Sequence, residues 1–405
     1  MSDTGDSTIS RPRGKSILFA LISLSLGVIF GLAVAEVWAR MIEPAGFDTE
    51  SLHTRHPVLG WVPASGRTTV RTDEYSATYD VNALGMNDRA LGDSVDRARI
   101  RIVAVGDSNT FAQAVSRQDA WPKVLETMLF KGDEEAGVVY NIGVIGYSLG
   151  QYLLRLREFQ PVLRPQIVVV GFSMHNDLYD LLPPRLGGFV YGETLGRVYF
   201  DLDEQGNLIE IRDLAGKDLS RDGSLRKRAV NLRIRNFLNG FALYRRYRQS
   251  DAAMWVAVHL RPSGESLWPA IDTALKKRLD QSDEFRWRLA GKILERIARE
   301  TRASGAQVVL ANIPYLPQVY DDVWQTSFGA QPDIYDRWIA GERLGRICEQ
   351  AGIHYVDTTR AFVEAARRNH RWLHYREDRH PTAEGHLLIA QLVAAALKEK
   401  HLVSP

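Results

Sequence analysis

Five short apolar runs, each followed by a longer stretch whose apolar residues recur three and four positions apart, constrain this chain's fold more than any other feature. The runs are residues 102–105, 138–142, 167–172, 307–313 and 354–356; the helical segments are 120–130, 149–159, 285–302, 337–350 and 384–398. Ile167-Val168-Val169-Val170 shows no polar alternation, the pattern of a strand covered on both faces. Strands alternating with helices give parallel pairing with helices on either side. The expected fold is α/β, a three-layer α/β/α sandwich on a mainly parallel sheet. Asp119 is the candidate N-cap of the first helix.

Two regions depart from this alternation. Arg11, Arg13 and Lys15 precede residues 16–35, an uncharged apolar stretch that as a helix is about 30 Å long, the thickness of a bilayer core. Positive charge before the span and Glu36 after it place the N-terminus inside and the rest outside, in a bacterium the periplasm, on a single-pass inner-membrane anchor. Ala33-Val34-Ala35 has the small-x-small form of a signal-peptide cleavage site, but the run exceeds the roughly 7 to 15 residues of a signal core, which favours an uncleaved anchor. Between residues 181 and 282 the alternation is interrupted. There Tyr199-Phe200-Asp201-Leu202 and Leu208-Ile209-Glu210-Ile211 flank a glycine-containing turn and read as a hairpin. Residues 212–248 then hold 11 basic against 3 acidic side chains, a solvated face or a surface for an acidic polymer or lipid head groups.

The expected organisation is a cytoplasmic N-terminus (1–15), a membrane anchor (16–35), a stalk and lead-in (36–99), and an α/β domain (100–400) with an inserted cap. The lead-in is broken by Pro44, Pro57 and Pro63, with a small hairpin over 68–71 and 75–81 and no assigned chemistry. A net charge of +2 and the lack of any nucleic-acid-reading pattern give no nucleic-acid partner. The single Cys348 can form no internal disulfide and reads as a small buried apolar residue.

Ligands of open α/β sheets collect at the carboxyl ends of the strands. At such ends or in loops on the same side lie Val105-Gly106-Asp107-Ser108-Asn109-Thr110, Asn141 through Gly146, Ser173-Met174-His175-Asn176-Asp177 and Asp378-Arg379-His380-Pro381. A serine nucleophile needs a base, a group to orient that base, and donors for an oxyanion. Ser108 is the candidate nucleophile, His380 the base and Asp378 the orienting carboxylate, with Glu377 in reserve. The amides of Ser108 and Gly146 and the Asn176 side chain form the candidate oxyanion hole. His175 neighbours these groups and reads as structural. Each of these residues also has a local reading, as a helix cap, a turn residue or a surface-loop polar group.

In these motifs the sequence resembles the SGNH hydrolases, also called the GDSL family. Gly106-Asp107-Ser108 matches block I and Asn141 with Gly146 matches block II. Block III, Gly-x-Asn-Asp in the family, reads His175-Asn176-Asp177 with Met174 in the glycine's place. Block V, usually Asp-x-x-His-Pro, has its aspartate two residues before His380, a form found among exported bacterial proteins that handle polysaccharide acetyl groups. The resemblance implies a flavodoxin-like sheet and ester hydrolysis or O-acyl transfer through an acyl-enzyme, without cofactor or metal. With the anchor, it points to acetyl groups of an extracytoplasmic polysaccharide or envelope component, and to envelope polysaccharide-synthesis partners.

Other functions stay open. A lipid ester is the second substrate class. Gly146-Tyr147-Ser148-Leu149-Gly150 satisfies the Gly-x-Ser-x-Gly elbow of α/β-hydrolases, with Ser148, Asp357 and His380 as its triad. A non-catalytic scaffold, with the arginine-rich cap binding a partner, is the alternative outside enzymology.

Overall fold

The computed structural model describes residues 13–42, 52–92, 94–182, 197–211, 241, 243–244, 269–369 and 372–403. The arginine-rich stretch, apart from residues 241, 243 and 244, lies outside them. By internal contacts the chain divides into two units, residues 1–44 with 228–260 and residues 45–227 with 261–405.

In the first unit α1 (Arg13–Ile42) is one unbroken helix. Its segment Leu18–Met41 has a mean hydropathy of 2.5 and a hydrophobic window with no buried residues. Twenty-four helical residues reach about 36 Å, enough for a bilayer core. By length and composition this helix can cross a membrane, a test that an N-terminal signal sequence also passes. Glu36, expected to follow the span, lies within the helix, where Arg40 Nε one turn later donates to Glu36 Oε1 at 2.7 Å.

The second unit opens with two antiparallel hairpins, β1 (His53–His56) with β2 (Gly60–Pro63), and β3 (Gly66–Arg71) with β4 (Ser76–Val81). The alternating elements then follow: β5 (Ile100–Gly106), α2 (Ser108–Phe111), α3 (Trp121–Phe130), β6 (Gly137–Asn141), α4 (Leu149–Leu163) and β7 (Ile167–Ser173). After the hairpin of β8 (Tyr199–Leu202) and β9 (Leu208–Ile211) come α5 (Gln281–Ala303), β10 (Gln307–Ile313), α6 (Ile339–Ala351), β11 (His354–Val356), α7 (Thr359–Asn369) and α8 (Ala383–Glu399). The main sheet runs β11-β10-β7-β5-β6, all parallel. That is the flavodoxin-like order, in which the strand sequence reverses between β5 and β7 and opens a crevice at their carboxyl ends.

The unbroken apolar runs are explained by two cores. Val103, Val105, Val168, Val170, Val308 and Leu310 face one cluster with α4, α5 and α6. Their neighbours Ile102, Ala104, Val169, Val309 and Ala311 face the other, with α3 and α8. Successive side chains of a strand point to opposite faces, so a strand covered on both sides is apolar at every position. The three-layer α/β/α expectation is therefore what the structure has.

Three local expectations differ from the structure. The N-cap of α3 is Ala120, and Asp119 instead closes the short 3-10 turn before it. Helix α4 continues past residue 159 to Leu163, with Pro161 inside it. Residues 52–99 are more than a stalk. Their residues Leu52, Val70, Tyr75, Ala77, Tyr79 and Val81 form a cluster with Phe111, Ala114 and Ile145. Trp61 Nε1 donates to the Ile145 carbonyl at 2.9 Å, and the Ala114 N–H donates to the Tyr79 hydroxyl at 3.0 Å.

Thr110, in the helix that carries Ser108, fills space left by two glycines at the ends of adjacent strands. A Cβ on Gly106 would lie 2.0 Å, and one on Gly171 2.3 Å, from Thr110 Oγ1. Gly171→Ala should therefore overpack the junction and cost about 1–3 kcal/mol in denaturant unfolding. Adding Thr110→Ala, which removes the clashing oxygen, should recover most of that loss; a double variant no more stable than Gly171→Ala would show that the contact is not the cause.

Candidate active site

Strand β5 ends at Gly106, and the chain turns at once into α2. Asp107 is the N-cap, its carboxylate accepting the Asn109 N–H at 2.8 Å. Ser108 thus occupies the first helical position, with its hydroxyl within reach of a loop from the far end of the chain. His380 Nε2 lies 2.8 Å from Ser108 Oγ, and His380 Nδ1 lies 2.5 Å from Asp378 Oδ1. Asp378 and His380 are two residues apart, and Arg379 between them adopts φ +70°. A non-glycine residue in that region costs roughly 1–2 kcal/mol. It is held by the Tyr375 N–H on the His380 carbonyl (2.9 Å) and the Arg379 N–H on the Tyr375 carbonyl (3.1 Å).

The electrostatics separate the histidines. Burial opposes protonation of His380, but the Asp378 carboxylate, its hydrogen bond and the charge of Asp107 outweigh this and leave the imidazole above its ordinary 6.5. Burial also pushes Asp378 up, and the His380 charge with hydrogen bonds from His380 and Tyr75 brings it below the usual carboxylate value. Desolvation, with the charges of His380 and Arg379, pushes His175 down to about 3. Burial likewise pushes His374, which borders the same site, down to about 4. His380 alone of the three combines a raised proton affinity with a hydroxyl to receive a proton from.

Among the described residues, the backbone N–H groups of Ser108 and Gly146 donate to no acceptor. Gly146 sits in a turn at φ +77°. The Asn176 amide donates one hydrogen to Asp180 Oδ2 at 3.0 Å, while its Oδ1 is buried without a partner among the described residues. A cavity of about 30 Å³ beside His380 is lined by Asn109, Ser173, His175, Tyr315, Asp378 and Arg379, among others. Sequence reasoning assigned no role to Asn109 or Tyr315. Asn109 Nδ2 donates to Ser173 Oγ at 3.1 Å, and Tyr315 stacks on His175 at 4.0 Å between ring centroids. His175 is thus a wall of the cavity.

The elbow alternative is not assembled. Ser148 is the N-cap of α4; its N–H donates to Gln151 Oε1 at 3.3 Å, and its Oγ accepts from Arg197 at 3.2 Å. Asp357 accepts from Asn312 and from the Thr359 N–H. Both ring nitrogens of His380 are engaged by Asp378 and Ser108 instead. Glu377, the reserve carboxylate, is exposed, and the imidazole contact is made by Asp378.

No protein-family model matches the chain, and no curated protein matches it. Among solved structures it is similar to the acetyl xylan esterase AlAXEase, at 12% identity and a TM-score of 0.39, over 74% of this chain and 100% of that one. It is also similar to the psychrotrophic esterase EstA from Pseudoalteromonas sp. (12%, 0.37, 75% and 98%). A third is a catalytic mutant of Axe2, an acetylxylan esterase from Geobacillus stearothermophilus (13%, 0.36, 74% and 94%).

A general base must be neutral to accept a proton, so a raised histidine pKa moves the acid limb of activity upward. Any turnover that uses His380 as its base should therefore rise with pH to a midpoint above 6.5 and then level off. Asp378→Asn removes the carboxylate that stabilises the imidazolium. Its limb should move to lower pH while its plateau falls, by up to about 10⁴-fold. An Asp378→Asn profile with an unmoved limb would exclude Asp378 as the partner of the titrating group.

Proposed function

We propose that this chain is a serine ester hydrolase of the SGNH type that works through an acyl-enzyme and takes acetyl esters. The observation that supports this most is the continuous arrangement of the Ser108 hydroxyl, the His380 imidazole and the Asp378 carboxylate. In this reading Ser108 Oγ attacks the ester carbonyl as His380 Nε2 takes its proton. The N–H groups of Ser108 and Gly146 meet the oxyanion, with the second amide hydrogen of Asn176 beside them. The tetrahedral adduct collapses as His380 returns the proton to the leaving alcohol, and Ser108 keeps the acyl group. A water, activated by the same imidazole, then releases the acid.

Cavity size supports a short acyl group. One water needs roughly 10–15 Å³ by the same measure, so a volume of about 30 Å³ has room for a group of two or three heavy atoms. That is about the size of an acetyl group. The apolar helix α1 supports placement of this activity at an exported, membrane-anchored site, where acetylated polysaccharide or another envelope component is the substrate. Hydrolysis and O-acyl transfer share the acyl-enzyme and differ only in whether water or an acceptor hydroxyl attacks it.

Ser108→Ala and His380→Ala should each lower turnover of p-nitrophenyl acetate by at least about 10³-fold. Ser148→Ala should keep most of it, and loss with Ser148→Ala alone would overturn the assignment. A fluorophosphonate probe should label wild type at Ser108 and leave Ser108→Ala unlabelled; an unlabelled wild type would favour a scaffold.

Acyl-chain preference gives an independent measurement. If the cavity beside His380 receives the acyl group, the acetate ester should be turned over at least about tenfold better than the octanoate. An octanoate preference would redirect the substrate class to lipids. Adding an acceptor polysaccharide and following acetate to the polymer or to water decides between transfer and hydrolysis.

A further inference from the structure

The carboxylate that orients the imidazole is itself gripped by a turn about 300 residues earlier in the chain. Asp378 Oδ1 faces His380, and its other oxygen, Oδ2, accepts a hydrogen bond from the Tyr75 hydroxyl at 2.9 Å. Glu74, the preceding residue, accepts three backbone hydrogen bonds from the same loop. Its Oε1 takes the Arg376 N–H at 2.7 Å, and its Oε2 takes the N–H groups of Glu377 at 3.0 Å and Asp378 at 2.8 Å. The Tyr75 ring is buried and packs against Tyr375 of that loop at 5.1 Å between centroids. Both residues lie on the link between β3 and β4, outside the motifs that carry the serine and the imidazole. The turn is braced by Thr72, whose Oγ1 accepts the N–H groups of Glu74 and Tyr75 at 3.2 and 3.1 Å.

We propose that Glu74 and Tyr75 are positioning residues of the active site: Glu74 fixes the backbone from which Asp378 projects, and Tyr75 fixes which carboxylate oxygen faces His380. The proposal rests on the Ser108, His380 and Asp378 reading above. A carboxylate on a three-residue turn can rotate about its side-chain torsions, and only one arrangement puts an oxygen in line with Nδ1. A donor on the opposite oxygen selects that arrangement. Burial and the Asp378 charge push the Tyr75 phenol upward, which keeps it a donor across the working pH range.

The groups facing His380 that bear on its titration are Asp378, Asp107, His175, His374 and His386. Tyr75→Phe leaves all five in place and deletes one hydroxyl. With an acetate ester it should lower kcat about 10- to 100-fold, the range for a hydrogen bond to a charged group, with KM within about twofold of wild type. Its acid limb should move to lower pH, the direction of Asp378→Asn, because the carboxylate is no longer held in line with the imidazole proton. In an Asp378→Asn background the same substitution should change kcat less than about twofold, because the two residues act through one contact. Glu74→Gln, which sets an amide N–H against the Arg376 N–H, should also lower kcat without raising KM.

A Tyr75→Phe enzyme with wild-type kcat and acid limb overturns the proposal. So does one that loses activity only as its melting temperature falls, with the limb unmoved, or one that loses as much in the Asp378→Asn background. If Tyr75→Phe fails to fold, Glu74→Gln decides by the same kcat and KM criterion, and unchanged kcat there overturns the proposal. Ser108→Ala in parallel separates the levels. A dead Ser108→Ala beside a normal Tyr75→Phe removes the positioning role alone, and an active Ser108→Ala removes the underlying assignment and this proposal with it.

Discussion

The hydrogen bond between Ser108 and His380 joins residues 272 positions apart, and the rest of the architecture serves to hold its two ends within 2.8 Å. One end is fixed by the sheet: β5 stops at a glycine, the chain turns into α2, and Thr110 locks that turn against Gly106 and Gly171. The other end is a loop, which on its own is free to move. It is closed by a bridge between His374 and Pro381, by the Tyr375 N–H on the His380 carbonyl and by the Thr382 N–H on the Leu373 carbonyl. Thr382 then caps α8, its side chain accepting the Gly385 N–H at 3.3 Å, so the loop leads directly into a helix packed on the sheet. A long-range contact of this kind must overcome the entropy of closing a large loop, and rigid elements at both ends are what allow it to persist.

Burial gives neighbouring groups of one chemical type different states. His175, His374 and His380 all border one cavity, yet withdrawal from water lowers the first two to about 3 and about 4, whereas a carboxylate partner reverses the effect at the third. The aspartates divide by the same rule. Asp378 has an imidazole and is lowered, while Asp107 and Asp177, more deeply buried and served mainly by neutral donors, are raised. A raised Asp180, at about 6, adds a carboxyl whose charge changes near neutrality next to the Asn176 amide it accepts from.

Much of this was legible in the sequence because its signals are local. An apolar run with no alternation reports a doubly covered strand, and β7, β10 and β11 are found within a residue of the runs that announced them. The β8 and β9 hairpin follows from its glycine-containing turn. Ser108, Asp378 and His380 could be named because each stands in a short motif at a strand end or before a helix. Glu74 and Tyr75 could not. Their partners lie 302 to 304 positions away, and a Glu-Tyr pair in a hairpin link has no local feature that distinguishes it from any solvated turn. The misplaced cap at Asp119 is a smaller failure of the same sort, since an acidic residue before a helix is a cap only if the backbone turns there.

The two-residue spacing of Asp378 and His380 shows how a shortened motif can still deliver its geometry. Arg379, the one residue between carboxylate and imidazole, turns the backbone there at φ +70°. Such strain persists only where the surroundings over-determine the conformation. Here they do so from both sides of the turn: the Tyr375 and His380 backbone groups close it from within, and the Glu74 carboxylate gathers the three N–H groups that lead into it. Without Glu74 those three donors would bond to water instead, and the turn would lose the contacts that oppose its relaxation. The lead-in hairpin and the strained turn are thus two parts of one device: the first makes the second stable, and the second makes an Asp-x-His spacing sufficient for a carboxylate to meet its imidazole.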